Sequence, residues 1–235
     1  MLKSLHHPRM QPSQPFTHAQ RVHTALTASL EKRLLIWLAH HIPASINSDH
    51  LTLLAFLAQI LAGACYALSA QTPRALVLVN FFIFFNWLGD SLDGTLARVR
   101  NQQRPRYGFY VDHIVDTLGA FALIIGLGCS GFVHWQIAVA LLLGFYVLSI
   151  ESYLATYTIG RFHISHGFFG PTELRILLII GNFFLVKHKY ANLPGHFHFL
   201  LFDIGGVIAI LGMSLMALIS VGRHTLTLYR AEPLS

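Results

Sequence analysis

Asp90, Asp93, Asp112 and Asp116 fall within a stretch of 27 residues that runs Asp90-Ser-Leu-Asp93-Gly94-Thr-Leu-Ala97-Arg98, then nine residues, then Gly108-Phe-Tyr-Val-Asp112-His-Ile-Val-Asp116. Four of the chain's ten acidic residues are gathered here, and strongly apolar sequence flanks them on both sides. Positions three or four apart share one face of a helix, so Asp90 with Asp93 and Asp112 with Asp116 form two carboxylate pairs. A turn between the pairs would make them converge. Converging carboxylates repel unless cations neutralise them, and hard divalent ions such as Mg2+ or Mn2+ take oxygen ligands. The pattern therefore predicts a site for two divalent ions on Asp90, Asp93, Asp112 and Asp116.

A diphosphate is the natural client of such a site, because the ions neutralise its oxygens and stabilise a departing phosphate. Residues between the carboxylates suit that client. Gly94 and Ala97 are small enough for a nucleotide to approach the helix closely, Arg98 offers a planar fork for phosphate, and Gly108 allows close approach at the mouth of the facing helix. Membrane helices also use glycine simply to pack, which for Gly108 is an equal alternative.

The elements that carry these residues are set by composition. A chain of 235 residues that is 54% hydrophobic and 11% charged is too apolar for an ordinary soluble fold. Runs of bilayer length lie near Leu51–Ala70, Ala75–Leu96, Phe109–Phe132, Ile137–Tyr157, Leu174–Val186 and Leu200–Val221, the fifth being short. The expected fold is an all-α polytopic membrane protein of six transmembrane helices. A preceding amphipathic helix is expected over residues 17–42, with a stripe of Val22, Leu26, Leu30, Leu34 and Leu38 lying on the membrane surface. The chain divides into a disordered polar tail at 1–16, that juxtamembrane helix, a six-helix domain over 43–230 and a tail at 231–235. No apolar stretch opens the chain, so no cleaved signal peptide is expected. Ser48 or Asp49 is placed to cap the first span.

Six spans put both termini on one side. This assignment gives that side 13 of the 16 basic residues, against only Arg74, Lys187 and Lys189 opposite, so the termini and the carboxylates are expected to face the cytoplasm. The net charge of +6 is dispersed over membrane-flanking loops, which argues against a nucleic-acid partner. Cys65 and Cys129 fall inside spans and imply neither a disulfide framework nor a zinc site. Of the other acids, Glu151 lies within the fourth span, where it would bind a cationic acceptor beside Tyr153 or Tyr157 or pair with a neighbouring helix. Glu173 fits the first turn of the fifth span and contact with Arg175, and Asp203 is read as a cap or interface residue. Arg104 and Arg106 are positive-inside charges able to attract anionic headgroups. His196 and His198 are read as interfacial.

The Asp90–Asp116 string resembles the signature of the CDP-alcohol phosphotransferases, integral membrane enzymes of phospholipid synthesis, and all eight fixed positions of that signature are present. Ser48-Asp-His-Leu-Thr52 looks like the start of that family's first helix, where Asn is commoner than Asp49, and Gly170-Pro-Thr-Glu-Leu-Arg175 is similar to a segment of bacterial members. By this resemblance Asp90, Asp93 and Asp112 hold the metals, while Asp116 shares one and acts as base. Gly94, Ala97 and Arg98 would line the CDP site and Thr52 would touch nucleotide. The implied reaction is attack of an alcohol hydroxyl on the β-phosphorus of a CDP-linked substrate, with CDP-diacylglycerol the expected donor and CMP released. The resemblance also implies a homodimer in a bacterial inner membrane. Transfer of a phospho-amino alcohol to a lipid, intramembrane prenyl transfer and cation transport are the rival readings. Prenyl transfer usually places its aspartate motifs on separate hairpins, and a cation path would be opposed by Arg98.

Overall fold

The computed structural model describes residues 28–159, 171–187, 189–193 and 197–232. Among these residues the chain forms seven helices and one hairpin: α1 (Ala28–His41), α2 (Ser48–Ser69), α3 (Ala75–Val99), α4 (Pro105–Cys129), α5 (Trp135–Ile159), α6 (Pro171–Leu185), β1 (Tyr190–Leu193), β2 (Phe197–Leu200) and α7 (Leu201–Ala231). Helices α2, α3, α4, α5 and α7 are long and apolar enough to cross a membrane. The expected fifth span is the 15-residue α6, which at 1.5 Å per residue reaches about 22 Å and falls short of a hydrocarbon core of roughly 30 Å. After it, β1 and β2 pair antiparallel with Tyr190 opposite Leu200. Strands of four residues are too short to show a period in the sequence.

Helix α2 starts at a capping box. The Asn47 side chain accepts from the His50 backbone N–H at 3.1 Å, and the His50 ring accepts from the Asn47 N–H at 3.2 Å. The cap is thus Asn47 and not Ser48 or Asp49: in a run of three capping-competent residues the histidine three positions on decides which reciprocal bond closes. Asp49 is left in the first turn, where it bonds Arg104 instead.

The break between α3 and α4 sets the chemistry's frame. Asn101 takes φ 54°, a left-handed conformation that asparagine tolerates better than most residues. The N–H of Gln102 reaches the Ala97 carbonyl at 2.9 Å and that of Asn101 reaches Arg98 at 3.2 Å, which is a Schellman ending. Pro105 then supplies the first residue of α4, so this helix begins three residues before Gly108. The reversal is clamped to the α1–α2 linker, because the Arg100 guanidinium donates to the carbonyls of Ile46, Ile42 and Pro43 at 2.6, 2.8 and 3.1 Å.

Close helix approach does the rest. Gly63 of α2 and Gly126 of α4 face one another so tightly that a Cβ on either would strike the opposing backbone. One apolar cluster joins Ala62, Tyr66, Leu76, Val79, Ile83 and Leu127 to the far-end loop residues Phe132 and Val133. A buried polar chain crosses it: Tyr66 Oη donates to Asn182 Oδ1 at 2.9 Å, and Asn182 Nδ2 donates to Asn80 Oδ1 at 2.7 Å. A second cluster packs α1 on α3 through Leu35, Ala39, Leu92 and Leu96. Of the expected membrane-surface stripe, Leu34 is exposed and Leu38 is partly buried against this cluster. Residues 17–27 of the expected helix lie outside the described residues, as does the 1–16 tail.

Gly89 stands directly before Asp90, and a Cβ there would sit 2.6 Å from the Leu51 carbonyl oxygen and 2.9 Å from the Ala55 nitrogen. Gly89→Ala is expected to force α2 and α3 apart and lower stability by about 1–3 kcal/mol. Denaturant titration of the purified protein in detergent checks this, and an unchanged midpoint would show that the two helices are not locked at this point.

Candidate active site

Three of the four aspartates meet. One carboxylate oxygen from each of Asp90, Asp112 and Asp116 lies within 4.8 Å of the others. Asp90 comes from the second half of α3 and the other two from the first half of α4, so the Asn101 reversal is what brings them together. All three donors are hard oxygens, and a guanidinium already leans on one of them, since Arg175 Nη2 of α6 donates to Asp90 Oδ2 at 2.8 Å. A donor set of this kind fits a divalent cation.

Asp93 stands apart from that trio. Its carboxylate accepts from Thr52 Oγ1 of α2 at 2.6 Å and from the Gly94 N–H. Thr52, which the family resemblance implies as a nucleotide contact, bonds Asp93, and its hydroxyl also lies 3.1 Å from the Ser48 carbonyl. Asn86, one turn before Asp90, donates to the Ala55 carbonyl at 3.0 Å and to Gln59 at 3.3 Å, which ties α3 to α2 just behind the carboxylates.

Arg98 lies on the α1 side of α3. It donates to Thr95 Oγ1 at 3.0 Å, and with Lys32, Ile36, Thr95 and Val99 it lines a cavity of about 330 Å³ between the two helices. Gly94 and Ala97 lie on α3 beside Asp93 and Arg98 and are partly exposed. Gly108 has open space around it, with nothing within 4 Å of the position a Cβ would take, so it is not a point of helix packing. Arg104 is fully engaged at the mouth: it bonds Asp49 and stacks 4.1 Å over the Tyr107 ring. The hydrogen bond to Asp49 raises the Arg104 guanidinium above its ordinary value.

Two of the remaining acids pair with histidines. Glu151 pairs with a neighbouring helix through His224 of α7 at 2.5 Å, and its other oxygen is buried with no hydrogen-bond partner among the described residues. At the opposite end of the bundle Asp203 binds both the backbone N–H and the ring of His134, at 2.8 and 2.5 Å. The side chain of Glu173, and His196, lie outside the described residues. Sequence reading missed Glu31, which accepts from Trp87 Nε1 at 3.0 Å and sits 3.5 Å from Ser91 Oγ and 3.4 Å from Thr172 Oγ1. It also left Arg175 unpartnered with Asp90, 85 positions away. Neither link has a local signal in the chain.

Comparison with known proteins gives this geometry a setting. The sequence profile of the CDP-alcohol phosphatidyltransferases matches residues 46–220. An archaetidylinositol phosphate synthase of Pyrococcus horikoshii is 30% identical over 105 residues, which cover 44% of this chain and 52% of that protein. The inner membrane protein YnbA of Escherichia coli is 34% identical over 100 residues, covering 43% and 47%. The matched segments thus span about half the length of these relatives. In fold, the chain resembles the crystal structure of Mycobacterium tuberculosis phosphatidylinositol phosphate synthase (PgsA1) with CDP-DAG bound, with a TM-score of 0.50 at 20% identity over 84% of this chain and 92% of that one.

Thr52→Val removes the hydroxyl that faces the Asp93 carboxylate and is expected to cost about 1–3 kcal/mol of stability, because a partly buried charge loses its donor. Mn2+ should return most of that loss by binding the released carboxylate. Thermal melts of wild type and variant, with and without Mn2+, check both parts. A penalty that Mn2+ leaves unchanged would separate Asp93 from the ion-binding group.

Proposed function

We propose that this chain, which belongs to the CDP-alcohol phosphatidyltransferase family, transfers a phosphatidyl group from CDP-diacylglycerol to an alcohol hydroxyl and releases CMP. The observation that carries the reading is the convergence of Asp90, Asp112 and Asp116 within 4.8 Å at the end of a helical hairpin whose intervening residues include Gly94, Ala97 and Arg98. Family membership takes precedence over prenyl transfer and cation transport. CDP-DAG is bound in the M. tuberculosis relative, and here that supports a CDP-linked lipid as donor.

In this reading Asp90, Asp93, Asp112 and Asp116 hold Mg2+ or Mn2+. Bound there, divalent ions would supply positive charge to the diphosphate and to the departing CMP phosphate. The chain's own groups do the rest. Asp116 accepts the proton of the acceptor hydroxyl; the hydroxyl oxygen bonds to the β-phosphorus, and the anhydride bond to the CMP phosphate breaks. A carboxylate among like charges and cations is a modest base, so its contribution comes mainly from position. Arg98 and the cavity it shares with Lys32 offer cationic groups to the nucleotide's phosphates, while Gly94, Ala97 and Gly108 leave room for the nucleotide. Thr52 keeps Asp93 oriented.

Orientation with the site toward the cytoplasm, in a bacterial inner membrane, is part of the same proposal. Its support is charge: among the described residues only Arg74, Lys187 and Lys189 of the basic set belong to the opposite end. A homodimer rests on family resemblance alone.

Purified protein supplied with CDP-diacylglycerol, Mn2+ and a panel of alcohols, phosphorylated polyols and amino alcohols is expected to release CMP with at least one acceptor. Absence of CMP with every acceptor, together with no stabilisation by CDP-lipid, would overturn the reading. Asp116→Asn is expected to lower kcat by roughly 10²–10⁴-fold while CDP-lipid still shifts the melting temperature. Retention of full kcat in that variant would remove Asp116 from the role of base.

A further inference from the structure

The Asp90–Arg175 ion pair joins α3 to α6, and a second polar link runs beside it. Glu31 of α1 accepts the Trp87 indole N–H at 3.0 Å, with the Ser91 hydroxyl at 3.5 Å and the Thr172 hydroxyl at 3.4 Å from the same carboxylate oxygen. Trp87 and Ser91 are four residues apart and flank Asp90 on α3, so Glu31 spans the turn that presents that aspartate. Thr172 and Arg175 are three residues apart in the first turns of α6, so the two links grip the same end of that helix. Helix α1 is itself fixed against α3 by Leu35 and Ala39, and so Glu31 projects from an anchored element. Glu31 also lies outside residues 46–220, the part of the chain that the family profile matches.

We propose that Glu31 is a positioning residue of the aspartate site: by tying the first turn of α6 to α3 it sets the Arg175 guanidinium against Asp90. The inference rests on the proposed function only in taking Asp90 as a ligand of a divalent ion. Arg175 and such an ion compete for one carboxylate, so the place of the guanidinium governs how tightly the ion is held. Glu31 touches neither the ion nor substrate; it acts through α6.

The test is a double-mutant cycle read by Mn2+ affinity, followed through the electron paramagnetic resonance of free Mn2+ over the full-length protein in detergent. Arg175→Gln withdraws the competing charge and is expected to tighten Mn2+ binding about tenfold. Glu31→Ala should tighten it in the same direction by about threefold, and Glu31→Ala with Arg175→Gln should match Arg175→Gln alone, the non-additivity of residues acting through one contact. Glu31→Gln keeps an acceptor oxygen and should restore wild-type affinity. Thr172→Val, which keeps the shape of α6, should reproduce the direction of Glu31→Ala and serves where the latter fails to fold. Unchanged Mn2+ affinity in Glu31→Ala and Thr172→Val, or a Glu31 effect that adds in full to that of Arg175→Gln, overturns the proposal. Variants that show these Mn2+ shifts, with a wild-type protein that releases no CMP, would instead sink the proposed reaction and leave the role of Glu31 standing.

Discussion

Carboxylates gathered inside an apolar bundle are tolerable only where positive charge or hydrogen-bond donors meet them, and the rest of this structure follows from that demand. Asp90, Asp112 and Asp116 converge; Arg175 reaches across from α6 to the first of them, while Asp93 is met by Thr52. Even the second tier obeys the rule, for Asn86 and Gln59 satisfy one another and the Ala55 carbonyl directly behind the site. Elsewhere the bundle offers lipid a nearly uniform apolar surface, with leucine, phenylalanine and isoleucine exposed along α2, α3, α5 and α7. The carboxylates gather at one end, where water-soluble molecules can come and go, while the opposite end keeps a satisfied pair of its own in Asp203 and His134.

That concentration needs a tight reversal, and the chain builds it from backbone conformation and one side-chain clamp. The Schellman ending at Asn101, proline at the start of α4 and the three carbonyls gripped by Arg100 make the α3–α4 turn a rigid corner. Facing glycines at 63 and 126 let α4 lie close against α2, while Gly89 does the same for α3. Displacing any of these contacts by a methyl group moves a helix that carries an aspartate. Packing and chemistry are in this sense one constraint.

Much of this was legible in the chain. Helical spacing put Asp112 with Asp116, five of the six apolar runs are long helices, and the eight-position signature pointed to the family. Other features needed the third dimension. Three adjacent residues could each have capped α2, and the choice of Asn47 depended on the ring of His50. A four-residue stripe in α1 was visible, but Leu35 and Ala39 are buried because α3 supplies the groove there. Which three aspartates meet depends on how far α3 and α4 rotate about their axes, which spacing alone leaves open. The partnerships of Arg175 and Glu31 join residues 85 and 141 positions from their mates, and no periodicity encodes such a distance.

Helix α6 is short, yet it is held at two points on nearly one face. Arg175 is held by Asp90, and seven residues later, about two turns on, Asn182 is held by Tyr66 and Asn80. The helix thus has a fixed phase as well as a fixed place. One residue inserted or removed between those two points would turn one anchor by about 100° relative to the other. Within that interval Ile176, Leu177 and Ile180 are exposed, while Leu178 and Ile179 pack on the core and Gly181 lies against Phe202. A change in the length of the stretch from 176 to 181 would uncouple the polar core from the carboxylates, so the stretch works as a ruler between the two anchors.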